Sequence, residues 1–299
     1  DDDKEGNIDK TDGKYFAIQS VEDMKSAEDY RYWTVVTVKN KKITKVEWNA
    51  YHTQGGIQKC EGASKYDCSV AGIYGMNGNK GEWHEQANKV TKWIVDNQKY
   101  TGLTFDNKKT DAISSASITT EELFLLVQEA LAGDPVPKGN FGSDGYYYAE
   151  DGRTEGQEYK YVKANNDGQP IDAEGNPLAE GYTVDDLVYV EGEYTGLTFG
   201  AFIVVNGTLV HVDFNAAYTL FDFVMDENKA FVKEELSGSK LVICDETGKP
   251  VKEYKTKDGA KYNYGMRGKT FNKPEQEWFL QAQAAEEKLL EDQTLDITV

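Results

Sequence analysis

Hydroxyl side chains crowd into the run Asp111-Ala-Ile-Ser-Ser-Ala-Ser117-Ile-Thr-Thr120, immediately before an apolar stretch with helical spacing from Phe124 to Leu131. Serine and threonine at such a place have two uses. They cap the helix by accepting hydrogen bonds from its orphan N–H groups, or they present a nucleophilic oxygen where those amides and the helix dipole favour a phosphate. Thr119 and Glu122 have the spacing of a capping box, which predicts helix onset near residue 120, with Ser117 and Thr119 facing an anion site. From the residues alone, a structural cap and a phosphate-binding site both stay open.

Other chemistries have less support. His52, His84 and His211 form no spaced ligand pair, so no metal site is expected. The chain has no Gly-x-Ser-x-Gly nucleophile turn and no glycine-rich phosphate loop. The segment Asn165 to Asn176 invites a calcium-loop reading, but with Gly168 at the invariant glycine, Lys163 falls at the first ligand position. A turn between strands is expected there. Cys60, Cys68 and Cys244 are too far apart for a Cys-x-x-Cys centre; a small Cys60–Cys68 loop in an oxidising compartment and free thiols both stay open.

The elements that must position these residues are used twice. Trp33 to Tyr51 alternates around a turn as an antiparallel hairpin does, and so does Ala201 to Tyr218, with Asn206-Gly207 as its turn. Both end in an aromatic residue followed by Asn-Ala. Tyr74-Gly75-Met76 then leads to Glu82-Trp83 and a helix-period run through Ile94, while Tyr264-Gly265-Met266 leads to Glu277-Trp278 and a similar run through Leu290. The second copy has a long preface, residues 144 to 193, and about 24 additional residues before its Tyr-Gly-Met. Asp134-Pro-Val-Pro-Lys-Gly-Asn140 is the natural linker, since its prolines and glycine stop a helix and start none.

A chain of 299 residues exceeds one ordinary core, and two domains are expected. The fold class is α+β: two related domains, each an antiparallel sheet with packed helices. Residues 1–12 are expected as a flexible arm, 13–133 as the first domain, 134–143 as the linker and 144–299 as the second. Apolar runs such as Gly200 to Val205 are far too short to span a membrane. A net charge of -19 repels a phosphate backbone, so nucleic acid is not an expected partner.

The run from Asp111 to Ser117 resembles the flavinylation motif of the FMN-binding domain family, which includes the covalent-flavin subunits of sodium-translocating NADH:quinone reductase and of the Rnf complex. Asp111 matches the leading acid, Ser114 the first hydroxyl, Ala116 the alanine and Ser117 the residue joined to FMN through a phosphodiester. Ser115 stands where glycine is usual and Ser117 where threonine is. The hairpin, the Tyr-Gly-Met segment, the Glu-Trp helix and the motif follow in the family's order, as in its two-domain lipoproteins from Gram-positive bacteria.

The resemblance implies covalent FMN on Ser117, with Asp111, Ser114, Ser115, Ala116, Ile118 and Thr119 around the attachment and Tyr74, Gly75, Met76, Tyr264, Gly265 and Met266 against the flavin rings. It implies an extracellular electron carrier more than an enzyme, lipid-anchored at the cell surface, charged by a flavin transferase, and relaying electrons from a membrane quinol pool to extracellular acceptors. A flavin-free surface binding module and a reductase of one extracellular small molecule are the other readings. Asp111 follows Trp83 by 28 positions, and the same spacing from Trp278 runs past Val299. A second FMN site is therefore expected beyond that residue in the natural protein.

Overall fold

The computed structural model describes residues 8–21, 23–24, 29–76, 80–113, 116–163, 171–181, 184–224, 240–244, 250–255, 259–260 and 278–296. Strands β1 (Gly13–Ile18), β2 (Tyr30–Lys39) and β3 (Lys42–His52) form an antiparallel sheet in the order β1-β2-β3. Asn40 and Lys41 turn β2 into β3 with φ of 51° and 59°. Two left-handed residues in a row make the tight turn whose twist matches that of the strands it joins.

Helices α1 (Lys65–Val70), α2 (Trp83–Asn97) and α3 (Glu121–Ala132) follow. The apolar stripes of α2 (Trp83, Ala87, Val90, Ile94) and α3 (Leu123, Phe124, Val127, Leu131) pack with Tyr15, Val36, Ile43, Val46 and Trp48 of the sheet in one core. Burying such side chains stabilises the fold by roughly 1.5–3 kcal/mol each. Of the expected N-terminal arm, Ile8 belongs to this core and its N–H donates to the Lys41 carbonyl at 2.9 Å. Residues 1–7 lie outside the described residues.

A six-stranded sheet holds the remaining strands: β4 (Gly145–Lys163), β5 (Tyr189–Val205), β6 (Thr208–Val224), β7 (Lys240–Cys244), β8 (Pro250–Lys255) and β9 (Gly259–Ala260), in the order β8-β7-β4-β5-β6-β9. The last helix, α4 (Trp278–Asp292), places Leu289 and Leu290 with Val204, Leu209 and Val212. The fold is thus α+β, antiparallel sheets carrying packed helices.

The internal repeat extends to a shared device at the helix ends. Gln98 follows α2 with φ 49° and Gln293 follows α4 with φ 52°. Gln98 accepts from Ile43 N–H and donates to the Ile43 carbonyl, both at 2.8 Å. Gln293 does the same with Leu209, both at 2.9 Å. Each amide side chain stands in for a neighbouring strand just after a hairpin turn, satisfying backbone groups that would otherwise be buried unpaired.

Packing divides the chain into two compact units, Asp1–Glu150 with Thr198–Ala216 and Ala260–Val299, and Asp151–Leu197 with Ala217–Gly259. The second unit is made from the preface and the insertion that distinguish the second copy, and the insertion contributes the antiparallel pair β7–β8. In the first unit, Tyr51 of β3 donates to Asp213 of β6 at 2.7 Å and lies 2.9 Å from His211 Nε2, all three side chains being buried. Strand alternation explains this, since Trp48 enters the helical core while Tyr51, three residues on, faces the opposite side.

Residues 134–143 form neither helix nor strand, yet they are tied down. Val136 N–H donates to the Lys14 carbonyl at 2.7 Å, and Gly139 and Phe141 donate to the Asn206 and Gly207 carbonyls at 3.0 and 2.9 Å. Gly207 has φ +72°, and a Cβ on Gly139 would stand 2.0 Å from the Gly207 oxygen. The turn needs a left-handed residue and the crossing needs one without a side chain.

Candidate functional site

The first turn of α2 gathers what the sequence separates. Glu82 is its N-cap and forms a capping box with Glu85, which accepts from Glu82 N–H at 2.8 Å. The same Glu82 carboxylate accepts from Met76 N–H at 3.1 and 3.2 Å, fixing the end of the Tyr74-Gly75-Met76 segment to the helix. Gly75 has φ +68°, a left-handed turn that glycine adopts without strain.

One turn further along α2, Gln86 Oε1 accepts from both Ser117 N–H, at 2.7 Å, and Ser117 Oγ–H, at 3.0 Å. Gln86 is fully buried and its Nε2 donates to the Gly81 carbonyl at 2.8 Å, whereas Ser117 is exposed. An exposed serine is thus held through its N–H and hydroxyl by an immobilised amide. Ala116 is half-buried against the core, Ile118 is buried, and Asp111 is exposed in a 3-10 turn, Asp111–Ile113. Ser114, Ser115, Tyr264, Gly265 and Met266 lie outside the described residues.

The capping box expected from Thr119 and Glu122 does not form. The N-cap of α3 is Thr120, its side chain makes no cap hydrogen bond, and Thr119 is exposed. The Lys108 carbonyl accepts from Thr120 N–H at 2.8 Å and from Glu121 N–H at 3.1 Å. A long-range backbone acceptor has replaced the local side chain, and Glu121 N–H is no longer available to an anion. Glu122 Oε1 and Thr120 Oγ1 are buried without a hydrogen-bond partner. Burial pushes the Glu122 carboxyl up to about 7, against the opposing pull of Lys108 and Lys65.

Sequence reasoning missed a buried lysine. Ser64 caps α1, accepting from Asp67 N–H at 3.2 Å and donating to its carboxylate at 2.6 Å, and this places Lys65, 4% exposed, in the first turn. The Lys65 ammonium lies 4.4, 4.7, 4.9 and 5.0 Å from the ring centres of Tyr30, Tyr32, Tyr74 and Trp83 and donates to the Tyr32 hydroxyl. Aromatic faces attract a cation by about 0.5–2 kcal/mol each, which offsets part of its desolvation. Burial still lowers Lys65 to about 8, and lowers the neighbouring His52 to about 4. Burial raises Tyr30, Tyr32 and Tyr74 above the ordinary phenol range.

A Cys60–Cys68 disulfide, with Cα atoms 5.6 Å apart, closes the loop that carries Ser64 and Lys65. The Cys68 carbonyl accepts from Ile73 and Tyr74 N–H at 3.0 and 3.2 Å, so the loop also anchors the start of the Tyr-Gly-Met segment. The one local signal for this cluster was Ser64-x-x-Asp67, a helix start of ordinary kind. Its aromatic partners come from β2, from the Tyr74-Gly75-Met76 segment and from α2, which no spacing rule connects. Among the described residues, no group of three or more His, Cys, Asp or Glu side chains is arranged to hold a metal ion, and no helix is long and apolar enough to cross a membrane.

The region offers an exposed serine whose hydroxyl has a fixed donor direction, held by the helix that also contributes Trp83 to the aromatic cluster around Lys65. No family model matches the chain. No curated protein matches it either. Among solved structures, the chain is similar to a Clostridium thermocellum protein determined by solution NMR, at 35% identity over 41% of this chain and 90% of that one, with a TM-score of 0.30.

Proposed function

We propose that the chain is an extracellular electron-transfer flavoprotein whose FMN is esterified through its phosphate to Ser117. The observation that carries this reading is Ser117, exposed on its loop and bound through N–H and Oγ–H to buried Gln86, one helical turn from the carboxylate that holds Met76. The residues fit such a group. Tyr74, Met76 and Ala116 are partly buried at the edge of one core, and Thr120 Oγ1 and Glu122 Oε1 next to the attachment loop lack partners.

FMN, when bound, supplies the electron-carrying chemistry. The chain supplies a covalent tether that prevents loss of the cofactor outside the cell, and aromatic surfaces and a buried ammonium that set its surroundings. Electrons would pass from a membrane quinol pool to extracellular acceptors, with a flavin transferase loading the FMN. The Cys60–Cys68 disulfide supports an oxidising compartment.

The test is coexpression with a flavin transferase, followed by acid precipitation and mass analysis of the Ser117 peptide. Flavin absorbance that stays with the precipitate, a Ser117 peptide heavier by FMN less one water, and loss of both in Ser117→Ala are the expected results. An unmodified Ser117 after coexpression with an active transferase would favour the flavin-free binding module. If Ser117 is modified, a screen of electron acceptors separates a broad carrier from a reductase of one small molecule.

A further inference from the structure

Gln86 lies 31 residues from Ser117, belongs to no flavinylation motif, and makes the contacts that define the acceptor hydroxyl. Two donors converge on one atom, which requires that atom to be the amide oxygen and fixes the orientation of the side chain. The amide nitrogen is held in turn by the Gly81 carbonyl, just before the N-cap of α2. A buried amide is costly without hydrogen bonds, and here both lone pairs of the oxygen are directed at Ser117.

We infer that Gln86 is a positioning residue that presents the Ser117 hydroxyl to a phosphoryl donor; the inference rests on the proposed attachment of FMN at Ser117. By accepting the hydrogen bond of Oγ–H from the protein side, Gln86 turns the oxygen lone pairs outward, where a donor arriving from solvent meets them. By accepting from Ser117 N–H it also fixes the loop, so the exposed residue does not wander. Held geometry of this kind replaces orientational entropy that the encounter would otherwise cost.

The reaction served is transfer of a flavin phosphate from a phosphoanhydride donor. The Ser117 Oγ–P bond forms, the anhydride P–O bond breaks, and its electron pair leaves with the departing phosphate. As the Oγ–P bond forms, the serine proton leaves its hydrogen bond to Gln86 and passes to a base of the transferase or to solvent, and nothing is oxidised or reduced. The esterified Oγ has no proton to donate, so its bond to Gln86 ends on modification, while Ser117 N–H···Oε1 persists and keeps the loop in place.

The experiment measures the rate at which a purified flavin transferase, given excess flavin adenine dinucleotide, adds mass to the Ser117 peptide of the full chain. Gln86→Met keeps the side-chain length and removes the acceptor; Gln86→Glu keeps the acceptor and loses the donor to Gly81. Folding is checked by thermal melting, and Ser117 N–H protection by hydrogen exchange. The expected result is a drop of about tenfold or more for folded Gln86→Met, with faster Ser117 exchange, and a rate within about threefold of wild type for Gln86→Glu.

A folded Gln86→Met modified at the wild-type rate overturns the inference and leaves the attachment site standing. If Gln86→Met does not fold, Gln86→Glu decides: a folded variant that keeps Ser117 protection but loses tenfold in rate overturns it equally. Wild-type protein that takes no flavin overturns the attachment itself.

Discussion

At the scale of single residues, position in space decided chemistry more than residue type did. Ser117 is legible from its neighbours in the chain, but Gln86, Lys65 and Glu122 are ordinary helix-surface residues until the tertiary structure buries them. The consequence is a pH dependence with three parts, one of them opposite in sign to the other two. Glu122 is raised from 4.5 to about 7 in the folded protein, so its contribution to stability is present below pH 4.5 and is lost as pH rises through 7. Lys65 is lowered from 10.5 to about 8, so its contribution is present above pH 10.5 and is lost as pH falls through 8. In urea unfolding, the stability of wild type relative to Glu122→Gln is expected to fall as pH rises from 5 to 7. Lys65→Met is expected to lack the gain that wild type shows from pH 8 to 10. His52, lowered from 6.5 to about 4, opposes Glu122 below pH 6.5, so the stability of wild type relative to His52→Gln is expected to fall as pH drops from 6.5 toward 4.

At the scale of elements, the repeat was readable because its physical causes are local. Alternation, tight-turn residues and helical spacing each act over a few residues, and both hairpins and both long helices stand where those patterns put them. The cap of α3 was misplaced because a backbone carbonyl 12 residues upstream, that of Lys108, outcompeted the local Thr119–Glu122 pairing. The glutamine device at the ends of α2 and α4 was also hidden, since the partners of Gln98 and Gln293 are 55 and 84 residues away. Replacing Gln98 by alanine leaves the backbone N–H and C=O of Ile43, a residue only 1% exposed, without those partners. The expected cost is about 1–3 kcal/mol in urea unfolding. Gln98→Gly is expected to lose the same hydrogen bonds but to recover a few tenths of a kcal/mol, because glycine tolerates the left-handed conformation.

At the scale of the whole molecule, the copies of the repeat do not correspond to the compact units. Hydrogen bonds from Tyr51 to Asp213 and from residues 136–141 to the β5–β6 turn make the first sheet and the second hairpin parts of one unit. A fragment ending at residue 143 is therefore expected to unfold at a lower urea midpoint than the full chain, with Tyr51 newly exposed to solvent. A fragment as stable as the full chain would show these bonds to be dispensable. Reducing the Cys60–Cys68 disulfide reopens a loop of sequence separation 8 and is expected to cost about 2–3 kcal/mol by the chain-entropy estimate. Melting with and without reductant measures this, and the pH 8 to 10 gain assigned to Lys65 should shrink in the reduced protein.

By itself, the sequence determined the α+β class, the duplication, the positions of hairpins and helices, and the hydroxyl run before α3, because backbone propensity and periodic burial are written in neighbouring residues. Only the tertiary structure decided that Gln86 holds Ser117, that Lys65 sits among four aromatic rings, that Cys60 pairs with Cys68, and that the preface and insertion of the second copy form a unit of their own. Those outcomes depend on which distant groups share a desolvated space, where a hydrogen bond or a charge takes its value from partners that no local pattern records.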